Sequence, residues 1–261
     1  MDGVRYTDYR IRGGWLYGRG EWDTFPLDFV SFTPKFLRVT DAHTLLRFAR
    51  EFGFLGYESL RGDTQTRRAS ESQLNARRLE KRLLRPFRGG EPIEWILAHA
   101  RTMRTVVHTA SLLQQFQTTR KSEPLSLIKK IWREGPFAVQ GKIVEEAYDL
   151  DRHAFWRRGK VFLSEQWGRT AIQQFLGGNL RGIHLRLVYD LDGKPKVDFG
   201  FNAVIEGAYR ELLEDLTKER LRICKNCHEI FRWDRADELH CKIKCRQNFA
   251  TREYRKRKRA E

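Results

Sequence analysis

The four cysteines of this 261-residue chain form two close pairs near its C-terminus. Two residues separate Cys224 from Cys227, three separate Cys241 from Cys245, and thirteen lie between the pairs. A tetrahedral metal ion needs such a pattern, because each pair holds one side of the ion and the loop carries the second pair to the other side. The spacing therefore predicts one structural Zn²⁺ per chain. Four thiolates would close its shell and leave no position for catalysis.

Other uses of these residues are weighed against zinc. His228 and His240 each lie beside a cysteine and could replace one of them as a ligand. Disulfides are disfavoured because the long region before Cys224 has no cysteine, and because the first residues lack the apolar stretch of a secretion signal. No run is long enough to span a membrane. We therefore expect a reducing, cytoplasmic compartment.

The residues around the cysteines predict a compact finger. Cys224 to Cys227 is typical of a tight metal-binding knuckle, followed by a strand through Ile230 and Phe231. No Gly or Pro follows Cys241, which favours a helix with Cys241 and Cys245 on one face of its first turn. Knuckle, hairpin and helix in this order are typical of a treble-clef-like zinc finger.

The same segment is strongly basic. Residues 218–261 contain 15 Lys or Arg against 7 Asp or Glu, so they hold half of the net charge of +16 in about a sixth of the chain. A cationic module attracts polyanions, and nucleic acid is the commonest one. We expect DNA rather than RNA as the partner. A solvated charge run without a partner is the alternative interpretation.

Helical spacing divides the predicted terminal helix into two faces. Cys241, Cys245 and Phe249 share one face, and Lys244, Gln247, Thr251, Tyr254 and Lys258 share the other. The side chains suited to base edges are Arg246, Gln247 and Asn248. Those better placed for phosphates are Arg252, Arg255, Lys256, Arg257, Lys258 and Arg259. One such helix reads only about three or four base pairs, so a regulator would act as a homodimer.

The rest of the chain predicts an α+β fold that is mostly α. Residues 1–219 would form a helical main domain and residues 220–261 the finger. Apolar spacing and capping residues predict helices over residues 41–52, 64–84, 91–119, 125–133, 140–152, 165–176 and 203–217. Alternation predicts a β-hairpin over 184–189 and 196–199. The first 40 residues are rich in aromatics, which we expect to anchor irregular chain on the core; interleaved with arginines, they could alternatively stack on bases.

At its C-terminal end the chain resembles the bacterial CGNR-type zinc-finger proteins. The resemblance rests on Leu221-Arg-Ile-Cys-x2-Cys-x3-Phe231, on Cys241-x3-Cys-Arg-Gln-Asn248 and on the basic end, over residues 220–257. The tetrapeptide at Cys245 lacks the Gly of that family. The resemblance implies a finger that follows a mostly helical domain, and a stress-responsive transcription regulator.

A ribonuclease is the rival from another class. Arg101 and His108 lie seven residues apart on one helix, together with Arg104, and this resembles the motif of the HEPN-type ribonucleases. A Gly-rich phosphate loop, a His-Glu-x2-His motif and a nucleophile elbow are all missing from the sequence. We therefore expect a protein that is not an enzyme. A finger that docks another protein has the same sequence features and stays open.

Overall fold

A computed structural model describes residues 2–57, 90–133, 135–139, 142–144, 160–189, 195–201, 203–233, 235 and 237–260. Helices predominate over small sheets in this part of the chain. The helices are α1 (Phe29–Phe36), α2 (Ala42–Phe52), α3 (Ile93–Thr119), α4 (Glu123–Ile131), α5 (Lys160–Asn179), α6 (Val204–Thr217) and α7 (Ile243–Ala260). The strands are β1 (Asp2–Arg12), β2 (Trp15–Pro26), β3 (Glu91–Pro92), β4 (Phe137–Val139), β5 (Lys142–Val144), β6 (His184–Tyr189), β7 (Pro195–Gly200), β8 (Leu221–Ile223) and β9 (Ile230–Arg232).

Residues 2–26 form a long antiparallel hairpin, so the expectation of irregular chain was wrong. Gly13 and Gly14 make its two-residue turn with φ values of 56° and 79°, which glycine adopts without steric cost. The short strand β3 pairs with β2 and completes a three-stranded sheet. The alternation was hidden because aromatic residues lie on both faces: Tyr9 is buried, whereas Tyr17, on the other face, is exposed.

α2 and α3 lie close to where the sequence predicted them, but Glu91 and Pro92, which were predicted as helix, form strand β3. The Asp41 carboxylate accepts a hydrogen bond from the Thr44 amide at 2.8 Å and opens α2, and Gly53, with φ of 73°, ends it. Pro92 precedes the first turn of α3. The predicted apolar stripe of α3 is confirmed, because Ile96 and Met103 are fully buried in the core.

Three other predicted helices met different outcomes. The helix predicted over 140–152 is wrong for residues 142–144, which pair with β4 as strand β5; the rest of that range lies outside the described residues. The helix predicted over 64–84 lies outside them entirely. α5 begins before Ser164 and runs through Gly177 to Asn179, whose side-chain amide donates to the Phe175 and Ala138 carbonyls. These bonds hold the final turn despite its glycines.

The remaining elements follow the prediction closely. The hairpin β6–β7 is confirmed, with His184 opposite Gly200. The helix predicted over 203–217 is confirmed as α6. Aromatic side chains fill the core between α1 and α2. The ring centroid of Phe32 lies 5.0 Å from that of Phe48 and 5.2 Å from that of Phe52.

A buried carboxylate joins the N-terminal sheet to the chain after α2. Glu91 is 3% exposed and accepts hydrogen bonds from the amides of Leu55, Gly56 and Tyr57 at 2.9, 2.6 and 3.0 Å. Gly56 has φ of 90°, so this turn favours glycine. The three amides therefore share one side chain as their acceptor.

Replacing Glu91 by Ala is expected to lower the free energy of unfolding by about 3 kcal/mol. The variant removes charge-assisted bonds and leaves buried amides without that acceptor. Urea denaturation would measure the loss. Glu94→Ala, at an exposed position one turn away, should change stability by less than about 0.5 kcal/mol. Equal losses in the two variants would contradict the role of Glu91.

Candidate metal centre

The four cysteines converge on one point in the structure. Their sulfur atoms all lie within 4.8 Å of one another. The Sγ atoms of Cys227 and Cys241 are 3.5 Å apart, and those of Cys241 and Cys245 are 3.6 Å apart. Tetrahedral coordination at about 2.3 Å per metal–sulfur bond places sulfurs about 3.8 Å apart. The cysteines are free, and the predicted metal-binding cluster is confirmed as a group that could hold an ion.

The first cysteine pair lies in the loop that joins β8 to β9. The Cys224 amide donates to the Glu229 carbonyl at 2.9 Å, and the His228 amide donates to the Cys224 carbonyl at 3.0 Å. His228 has φ of 60°, which turns the chain back toward the second strand. The loop is tied to the second pair, because the Lys225 amide donates to the Leu239 carbonyl at 3.1 Å.

The second pair lies at the start of α7. Cys245 is in the helix, whereas Cys241 precedes its first residue, so the prediction that both belong to the first turn was wrong. Residues 241 and 242 form a bend, and the Cys245 amide donates to the Lys242 carbonyl at 3.0 Å. This bend still brings the two sulfurs together.

The thiols differ in their readiness to ionise. Burial opposes ionisation of Cys224, but the backbone amides of Cys227, Cys241 and Asn226 donate to its sulfur and lower its pKa to about 5. Burial and the neighbouring sulfurs raise the pKa of Cys241. One sulfur is thus poised as a thiolate while the next resists a second negative charge. A bound cation would remove that repulsion, since metal ions favour deprotonated thiols.

Neither candidate histidine belongs to the sulfur cluster. The group that could hold an ion comprises only cysteines. His228 is exposed, and His240 packs against the Phe249 ring with centroids 5.1 Å apart. His240 therefore supports α7 next to the cluster.

The helix α7 is attached along one edge. Cys245 is buried, and Phe249 and Glu253 are half-buried at successive turns of that edge. The residues predicted to face nucleic acid are all exposed: Lys244, Arg246, Gln247, Asn248, Thr251, Arg252, Tyr254, Arg255, Lys256, Arg257, Lys258 and Arg259. Eight basic residues and one acidic residue lie on this helix. The six positions from Tyr254 to Arg259 are exposed on all sides, so this end projects from the protein.

The hairpin β8–β9 packs on the main helices. Ile230 belongs to the same buried cluster as the core residues of α3 and α6. Arg232 donates to Glu211 at 3.0 Å and approaches Asp215 at 2.5 Å, and both acids lie on α6. No sequence pattern indicated this junction, because an Arg in a short strand and two acids on a helix are ordinary surface patterns. Together they fix the base of the metal centre to α6.

Asp215 makes this junction sensitive to pH. Burial is the main cause that raises its pKa from 3.8 to about 6, with Glu211 adding to it and Arg232 opposing it. A raised carboxyl pKa gives stability that is present below about pH 4 and is lost as the pH rises through about 6. As the pH rises from about 4 to above 6, the unfolding free energy of the wild type should therefore fall by about 2 kcal/mol relative to that of Asp215→Asn. Urea denaturation at several pH values would measure this difference, and a constant difference would contradict it.

The residues of the ribonuclease hypothesis contact neighbouring backbone. The guanidinium of Arg101 donates to the Gly135 carbonyl. Arg104 donates to the carbonyls of Leu37 and Val39 at 3.1 and 2.6 Å. Burial, and then Arg104, lowers the pKa of His108. These contacts give both arginines structural partners, and no observation in the described chain favours catalysis by this group.

Comparison of the chain with protein-family models, with curated proteins and with solved structures found no match. Among the described residues, no helix has the length and apolar character that crossing a membrane would need.

Proposed function

We propose that this protein is a DNA-binding transcription regulator whose zinc-braced basic helix contacts duplex DNA. The observation that carries the proposal is the exposure of every basic residue of α7 on a helix held at one end by a four-cysteine cluster. The order β8, knuckle, β9 and α7 agrees with a treble-clef-like finger. The resemblance of residues 220–257 to the CGNR-type zinc fingers points to the same class.

Zinc is the metal that this donor set favours. Four sulfurs within 4.8 Å of one another suit a structural zinc site, since Zn²⁺ accepts thiolates and has no preferred geometry that would disfavour a tetrahedron. A closed shell supplies structure rather than reactivity. The ion would hold the knuckle, the bend at Cys241 and the start of α7 together.

The dimensions of α7 fit the major groove. Its 18 residues extend about 27 Å at 1.5 Å per residue, and the major groove admits an α-helix. Near the anchored end, Arg246, Gln247 and Asn248 present donors and acceptors suited to base edges. The projecting end presents Arg255 to Arg259, whose charges suit phosphates. Because one helix reads few base pairs, we propose a homodimer that binds two half-sites.

The experiment is a binding assay with the intact, zinc-loaded protein on random duplex DNA, titrated with salt. Counterion release predicts that the logarithm of affinity falls linearly with the logarithm of salt, with a slope of about −0.9 per phosphate contacted. Selection of a preferred sequence from the random pool would establish base reading. Affinity that is indifferent to salt, or no binding at low salt, would contradict the proposal.

A further inference from the structure

The solvent face of the N-terminal hairpin carries paired arginines and aromatic rings. In the register of β1 and β2, Arg12 lies opposite Trp15 and Arg10 opposite Tyr17. Directly opposed residues project from the same face of a sheet. The residues that alternate with them face the core, where Tyr9 is 2% and Leu16 0% exposed. The hairpin thus has one core face and one cationic, aromatic face.

An open groove of about 830 Å³ runs along this second face. Its lining residues are Arg10, Ile11, Arg12, Gly13, Trp15, Tyr17 and Arg19. Tyr17 is 37% exposed, and Trp15 is half-buried, so each ring offers part of its surface to a ligand. The arginines are exposed at its sides.

Neighbouring residues hold the two rings in place. The Trp15 and Tyr57 rings pack edge to face with their centroids 6.1 Å apart. Tyr57 packs in the same way on the buried Trp95, with the ring centroids 5.1 Å apart. Gly90 lies against the other ring, since a Cβ on Gly90 would come within 2.9 Å of Cδ1 of Tyr17. Rings that are already positioned lose little conformational entropy when a ligand stacks on them.

The charge of this face is positive. Arg10, Arg12 and Arg19 lie on it, and Asp8 lies at its edge opposite Arg19. The Asp8 carboxylate is 3.8 Å from Arg10 and 4.0 Å from Arg50, so a fourth arginine offsets it. A suitable ligand therefore combines negative charge with flat apolar groups.

We propose that this face binds single-stranded nucleic acid. Successive bases stack on Trp15 and Tyr17, and the phosphates between them contact Arg10, Arg12 and Arg19. The two aromatic residues are two positions apart on β2, which spaces them about 6.8 Å along the strand. A duplex hides the faces of its bases, so this surface selects unpaired strands. This site uses none of the residues of α7. It would therefore add single-strand binding to the duplex binding proposed for that helix.

The test uses the full-length protein with residues 255–259 changed to Gln, so that α7 contributes little to binding. Fluorescence anisotropy would measure affinity for labelled oligo-dT and oligo-U of about 15 nucleotides and for a duplex of equal length. We expect Tyr17→Ala to weaken binding of the single strands about 10-fold and Tyr17→Phe to retain it, since stacking needs only the ring. Arg10→Gln with Arg12→Gln should flatten the salt slope by about 1.4.

Matched variants keep the result interpretable. Trp22 lies on the same strand and is 37% exposed like Tyr17, but it does not line the groove, so Trp22→Ala should leave affinity unchanged. The double variant Arg120→Gln with Lys121→Gln is the control for Arg10→Gln with Arg12→Gln, since it removes the same two positive charges at positions outside the hairpin. A loss in Tyr17→Ala no larger than in Trp22→Ala, or a duplex that binds as tightly as the single strands, would overturn the proposal. The ratio of oligo-U to oligo-dT affinity shows whether RNA or DNA is the better ligand.

Discussion

Replacing Cys245 by Ser is expected to lower zinc affinity about 1,000-fold or more and to release α7 from the finger. Cys245 is the buried sulfur of the helix, and within the described part of the chain Cys245, Phe249 and Glu253 form the edge along which α7 is held. A serine hydroxyl is a poor substitute for a thiolate on zinc, and the free energy of metal binding is the free energy that folds such a small module.

Two measurements would check this result. Mass spectrometry under native conditions should find one zinc in the wild type and none in the variant after dialysis against a weak chelator. Hydrogen exchange should become fast through the first turns of α7 but stay slow in α3, whose core does not depend on the cluster. Asn248→Ser, at an exposed position of the same helix, should keep both the metal and the protection. Retention of zinc by Cys245→Ser would contradict the assignment of this ligand.

Neutralising the projecting end of α7 is expected to reduce duplex affinity about 1,000-fold at about 0.1 M salt. The change is Arg255, Lys256, Arg257, Lys258 and Arg259 to Gln. Each of these side chains is exposed, and only Lys256 has an acidic partner among the described residues, Glu253 at 3.0 Å. Each lost phosphate contact should also flatten the salt slope by about 0.9.

A control with equal charge separates phosphate contacts from bulk attraction. Five exposed cations away from α7 would be changed to Gln: Arg47, Arg120, Lys121, Lys142 and Arg181. This variant has the same net charge as the helix variant and should lose less than about 10-fold in affinity. Equal losses would show that net charge, rather than the projecting helix, drives binding. Unchanged melting temperatures in both variants would exclude a folding defect.

Local chemistry explains what could be predicted from the sequence. Ligand spacing specified the cysteine cluster, because a metal shell built from two close pairs needs few long-range contacts. The carboxylate of Asp41 and the positive φ of Gly53 set the ends of α2 from within a few residues. The apolar residues of α3 recur at helical spacing over many turns, so the pattern predicts a helix even though some single positions do not fit it.

The errors occur where distant parts of the chain compete with local signals. The turn at Gly13 and Gly14 was a hairpin signal, but aromatics on both faces hid the alternation around it. The helix predicted to end at residue 176 continues to Asn179, whose side-chain amide donates to the Ala138 carbonyl and holds the final turn. Cys241 lies before α7 rather than inside it. The bend at residues 241 and 242, and not the helix, therefore brings its sulfur close to that of Cys245.

The sequence by itself determined the cysteine cluster, the basic character of the last helix and the major helices of the core, since spacing and capping act over short distances. Only the tertiary structure decided that Arg232 meets Glu211 and Asp215, and that Trp15 and Tyr17 share an exposed face with Arg10 and Arg12. Strand register and helix packing choose these partners. Both are set by burial of apolar surface summed over the whole chain, which no single stretch of residues contains.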